Sequence, residues 1–168
     1  SVRSGGAEAL GGLSQFLSIS ADGRFVAFDS LATDMVVNDT NFIYDVFVHD
    51  RQTGTTERVS VGPGGLQANG LGSSHPSISG DGRFVAFNSY ATNLLGPGID
   101  SNGVSDVFVH DRQTHTTERV SVGPGGLQGN NAAAGWPVIS ADGRFVAFQS
   151  SATNLLAPGV DTNGSDDV

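Results

Sequence analysis

Cysteine is absent from the 168-residue chain, which therefore has no disulfide framework, thiolate nucleophile or thiolate zinc site. Lysine is absent too, and eight arginines face seventeen acidic residues for a net charge of −9. That balance argues against nucleic acid as a partner, because phosphate binding needs clustered positive charge. No apolar run approaches the roughly 20 residues of a membrane helix, so no membrane span is expected. Charged residues make up only 15% of the chain while glycine occurs 24 times, which disfavours long amphipathic helices and coiled coils. What remains is an acidic chain suited to holding cations.

Internal repetition is what the sequence does have. Asp22-Gly23-Arg24-Phe25-Val26-Ala27-Phe28 returns unchanged at Asp81 to Phe87 and at Asp142 to Phe148, offsets of 59 and then 61 residues. Val46 to Thr53 returns at Val107 to Thr114, and Thr55 to Gln67 at Thr116 to Gln128. One unit of about 60 residues has been copied in tandem. Ser1-Val2 aligns with Ser60-Val61, and Asp167-Val168 with Asp45-Val46. Both ends fall inside predicted strands, so the chain is expected to be part of a larger closed object. Its expected division is 1–61 (with the end of a preceding strand), 62–122, and an incomplete third unit at 123–168.

Each unit reads as four short strands. The first covers Leu17 to Ser20, and Ala21-Asp22-Gly23 then turns the chain, Asp-Gly between apolar runs being a strong hairpin signal. The second, Arg24 to Ser30, has an unbroken apolar run, which implies cover on both faces. The third is Asp45 to His49, and Asp50 to Gly54 leads into the fourth, Thr55 to Val61. The fourth is the most polar, as suits an outer edge guarded by charge. Strands graded from small and inner to polar and outer, in tandem, predict an all-β fold: a β-propeller of four-stranded antiparallel blades, here nearly three of them. The competing architecture is a β-solenoid, whose coils are shorter and do not need two hairpin turns per unit.

The Ser-Ala-Asp-Gly-Arg-Phe-Val-Ala-Phe segment resembles the serine-proline-aspartate-glycine signature of TolB-type (WD40-like) β-propeller repeats. Asp45 to Gly54 is similar to that family's third strand and aspartate-to-glycine hairpin. Ala21, Gly80 and Ala141 stand where proline is common, and His115 replaces the hairpin glycine in the second unit. The resemblance implies a propeller, usually of six or more blades and usually in a binding or scaffolding role. It implies no activity, since propellers host many functions.

An extended loop between the second and third strands sets these units apart. Asp39, Asn41 and Asp45 recur as Asp100, Asn102 and Asp106, and as Asp161, Asn163 and Asp167. Oxygen ligands at alternating positions, with Gly103 and Gly164 beside them in the second and third copies, can wrap calcium and are the candidate metal ligands. Asp and Asn also form side-chain-to-backbone turns, and tandem copying would preserve those equally well. Phe42 replaces the glycine in the first copy.

No catalytic arrangement is expected. His49 and His110 adjoin Asp50 and Asp111, but neighbouring strand residues point to opposite faces. Gly-x-Ser-x-Gly is absent, and the Gly62-Pro63-Gly64-Gly65 connector lacks the lysine and helix of a phosphate loop. Phe16, His75 and Trp136 are equivalent and are expected just before the inner strands, packing between blades at the channel mouth. The leading expectation is a non-catalytic extracellular or periplasmic module with a structural or protein-interaction role, steadied by calcium. It would join other copies of itself, in a ring or filament, or further blades of a longer parent chain, with a protein or peptide ligand on the axial face. The alternatives are the propeller domain of a larger secreted hydrolase and a TolB-like periplasmic adaptor.

Overall fold

The computed structural model describes residues 2–132, 135–163 and 165–168; Ser1 and Gly164 of the sequence reading lie outside them. The first blade contains β1 (Ser14–Ile19), β2 (Phe25–Ser30), β3 (Asp45–Asp50) and β4 (Thr55–Arg58), antiparallel in that order. A two-stranded ribbon follows, β5 (Val61–Gly62) with β6 (Leu66–Gln67), closed by a single turn at Pro63–Gly65. The second blade repeats the first with β7 (Ser73–Ile78), β8 (Phe84–Ser89), β9 (Asp106–Asp111) and β10 (Thr116–Arg119). Of the third, β11 (Gly135–Ile139) and β12 (Val146–Gln149) form a hairpin, with one bridge from Ser150 to Asp167.

Local chemistry sets the hairpins. Asp22 Oδ1 accepts from Ser20 Oγ at 2.6 Å and from the Arg24 amide at 3.0 Å, while Ser20 Oγ accepts from the Phe25 amide at 2.9 Å. These bonds tie the turn, and Gly23 supplies the positive φ of 73° at its apex. Asp81 and Asp142 repeat the arrangement. At the far hairpin, Arg24 grips Asp50 through two bonds of 3.0 and 2.6 Å, as Arg83 grips Asp111. The guanidinium beside each holds its carboxyl well below the usual carboxylate range.

The inner strands begin earlier than the hydrophobic run indicated. β1 starts at Ser14 because a bulge between Gln15 and Leu17 shifts the pairing with β2 and hides the alternation. The same irregularity falls between Ser74 and Ser77 and between Gly135 and Val138. The fourth strand is shorter than expected, ending at Arg58 before the chain leaves to form β5.

Blades stack face to face. Ala27, Val46, Val48 and Val59 of the first meet Ile78, Val85, Phe87 and Phe108 of the second in one buried cluster. Ala86 and Val109 of the second meet Ile139 of the third. Each fully buried large side chain contributes about 1.5–3 kcal/mol. Small inner residues allow the close approach: Ser18 Oγ accepts from the Ile78 amide and Ser77 Oγ from the Ile139 amide, both at 3.1 Å. The stack is an unclosed part of a propeller. Ile19 on the front of blade 1 is 53% exposed, whereas its equivalent Ile78 is 6% exposed.

Candidate functional site

The structure brings the candidate metal ligands of the first two loops together, and adds a residue that the sequence reading missed. Arg58, at the end of β4, reaches back so that Nη1 lies 3.0 Å from Asp39 Oδ1 and 3.1 Å from Asp45 Oδ2. Asn41 Nδ2 donates to Asp45 Oδ2 at 2.8 Å, and Ser60 Oγ to Asp45 Oδ1 at 2.5 Å. The second blade repeats this with Arg119 between Asp100 and Asp106 at 3.2 and 3.3 Å, Asn102 donating at 2.9 Å and Ser121 at 2.6 Å. A buried guanidinium thus supplies positive charge between each pair of carboxylates. The recurring Thr-Thr-Glu-Arg segment was the available signal, but nothing local links its arginine to a loop on the far side of β3.

Burial, helped by the neighbouring Asp45 or Asp106 carboxylate, raises Asp39 and Asp100 above the ordinary carboxylate range, the arginine pulling the other way. Asp39 Oδ1 and Asp100 Oδ1, although ion-paired, have no aligned hydrogen bond, and Asp161 Oδ1 has none either. In the third loop Asn163 Nδ2 donates to Asp167 Oδ1 at 3.2 Å. Among the described residues no three His, Asp or Glu side chains group so as to hold a metal ion. The first two loops each offer two carboxylates and an asparagine, and the third adds Asp166 to its own pair.

The inner-strand aromatics form a row across the three blades. Phe16 and His75 lie with ring centroids 3.8 Å apart, and His75 and Trp136 5.8 Å apart. They lie within β1, β7 and β11 rather than before them, at the bulges, with φ of 22°, 56° and 20°. The rings meet from blade to blade at tilts of 37° and 56°, but they are not buried there: Trp136 stays 66% exposed and the row borders an open cleft of about 280 Å³ with Pro76 and Pro137. The His-Asp neighbours behave otherwise. His110 is buried between blades, its Nδ1 3.0 Å from Thr117 Oγ1, and burial pushes its imidazole down to about 4. His49 makes the same contact with Thr56 at 2.9 Å. Both therefore hydrogen-bond within their own blade, and among the described residues no carboxylate is hydrogen-bonded to either ring in the manner of a general-base pair.

A third feature is the junction between blades. Phe25, at the start of β2, lies against Gly82 in the next blade's turn, where any Cβ would fall inside the ring. Arg112 stacks its guanidinium 4.3 Å from the Phe25 centroid, donates to the Gly82 carbonyl and pairs with Glu57 at 2.5 Å. Phe84 lies against Gly143 in the same way. Beside these sockets the backbones are stapled: the Ala21 amide donates to Gly80 O and the Gly80 amide to Ala141 O, both at 2.9 Å.

No family model and no curated protein sequence matches the chain. Solved structures do. The chain is similar to the tricorn protease at 16% identity and a TM-score of 0.51, over 86% of this chain and 11% of that one. It is similar to putative TolB from Agrobacterium tumefaciens at 21% identity and a TM-score of 0.50, over 86% and 40% of the two chains. The β-propeller domain of the Trilobed protease from Pyrococcus furiosus matches at 15% identity and a TM-score of 0.51, over 82% and 34%. The chain thus spans well under half the length of any of these three. Such likeness shows the fold, a β-propeller.

Proposed function

We propose that the chain is a non-catalytic β-propeller module, extracellular or periplasmic, with a structural or protein-interaction role, joining further blades through its open sheet faces. The observation that carries this reading is the socket repeated at both internal junctions, each with a phenylalanine against a turn glycine and a backbone staple beside it. The aromatic row supplies a stacking surface at the channel mouth for a protein or peptide partner. Light scattering over a range of protein concentrations tests the joining of blades. A mass rising above that of one chain supports it, and a single-chain mass at every concentration rejects it.

Calcium in the acidic loops is a second reading, favoured by the buried Asp161 oxygen that lacks a hydrogen-bond partner and by the carboxylate pairs Asp39/Asp45 and Asp100/Asp106. On this reading the ion adds ligation to cages that Arg58 and Arg119 already neutralise in part. Melting with calcium and with a chelator tests it: an upward shift with calcium supports it, and coincident curves remove it.

A further inference from the structure

The open front of blade 1 is a socket without its phenylalanine. Gly23 holds φ at 73° with no aromatic ring against it, its nearest neighbours being Arg51 Nη1 at 3.8 Å and Ile19 Cδ1 at 3.9 Å. Arg51 donates to the Gly23 carbonyl at 2.8 Å, the same bond that Arg112 makes to Gly82 inside the occupied junction. The front of blade 1 is thus preorganised before anything docks. Around it Leu17, Val26 and Phe28 line an open apolar trough of about 570 Å³. The back of blade 3 carries the matching half. Phe145, equivalent to Phe25 and Phe84, is 64% exposed, with its own Arg144 over the ring at 5.2 Å.

We propose that the occupant of the blade 1 front is the blade 3 back of a second copy, with Phe145 of one chain seated against Gly23 and under Arg51 of the next. This rests on the module reading above and adds the partner and the register. The contact is head to tail, because the two halves differ, so it propagates to a ring or a filament rather than pairing like faces about a two-fold axis. The internal junctions are its template: Ala141 of one copy would donate to Ala21 O of the next, as Gly80 donates to Ala141. One bond of the template is lost, since Val138 stands where Ser18 and Ser77 accept an amide. Association is therefore expected at the weak end of the scale, roughly micromolar or weaker.

The absence of cysteine makes a register test clean. A Cβ built on Gly80 lies 3.3 Å from Cβ of Ala141, close to the separation a disulfide spans. The Gly80→Cys/Ala141→Cys variant should therefore close within one chain, and Ala21→Cys/Ala141→Cys should link different chains into dimers and longer ladders under mild oxidation. Adding Phe145→Ser to the second variant should lower the linked fraction by about fivefold or more, as expected for an anchoring aromatic. Should the 80/141 pair close and the mass rise while the 21/141 pair stays unlinked, the copies meet in another register and the inference fails while the module reading survives. Links unaffected by Phe145→Ser are collisional and overturn it equally. A single-chain mass with no links rejects both, and failure of the 80/141 pair to close rejects the blade stacking itself.

Discussion

The junction between blades 1 and 2 and the open front of blade 1 are built from the same residues in different surroundings. Ile78, Val85 and His110 are buried, while Ile19, Val26 and His49, the same types at the same positions of blade 1, are exposed or half-buried; Phe28 alone, the equivalent of the buried Phe87, is covered within its own blade. The hairpin bonds of Asp22 and Asp81 are alike in both, as are the arginine grips on Asp50 and Asp111. Each blade therefore carries its own turn and edge chemistry, whereas burial of its apolar faces is supplied by a neighbour. That division explains how a repeat can be copied whole and still need a neighbour on each face.

The largest expected contrast is between a phenylalanine inside a closed junction and one on an open face. Phe87→Ala, in the closed junction, should cost about 3–5 kcal/mol in urea unfolding, whereas Phe145→Ala in dilute solution should stay within about 0.5 kcal/mol. Equal losses would show that blade 3 is covered in the isolated chain. The acidic cages sharpen the same comparison. Asp45→Asn breaks a buried ion pair and should cost about 3–5 kcal/mol, while Asp167→Asn on the exposed third loop should cost under about 1 kcal/mol.

A smaller effect depends on pH. Burial lowers the folded His110 imidazole to about 4 from its ordinary 6.5, so between those values the unfolded chain binds more protons. The stability this contributes is complete above pH 6.5 and is lost as pH falls toward 4, a change on the order of 3 kcal/mol. Asp29, Asp39 and Asp100, raised by burial, act with opposite sign near the lower end, so the upper part of this window isolates the histidine. His110→Gln should flatten denaturation midpoints there.

The tandem unit, its Asp-Gly turns and its four-strand order were legible because each is local: a turn residue, an apolar run and a change in polarity lie together in the chain. The inner-strand starts were not, since the bulge at Phe16 breaks the two-residue period just where the strand begins. The carboxylate clusters could be read as spacing, but their arginines could not, because Arg58 and Arg119 come from the blade's outer strand. Nor could Arg24 be paired with Asp50 before the register of β2 on β3 placed Phe25 opposite Asp50. The socket was the least visible of all: Gly82 reads as a turn glycine, and nothing nearby in the sequence names the ring that covers it.

Stability of Gly82→Ala against Gly23→Ala, measured by urea unfolding in dilute solution, asks most directly whether one blade's phenylalanine closes the next blade's turn. Both substitutions carry the cost of a positive φ, 75° and 73°, so their difference isolates the Phe25 contact. Gly82→Ala should be the more destabilising by about 1–3 kcal/mol. Equal costs at the two sites would contradict the stacked-blade account.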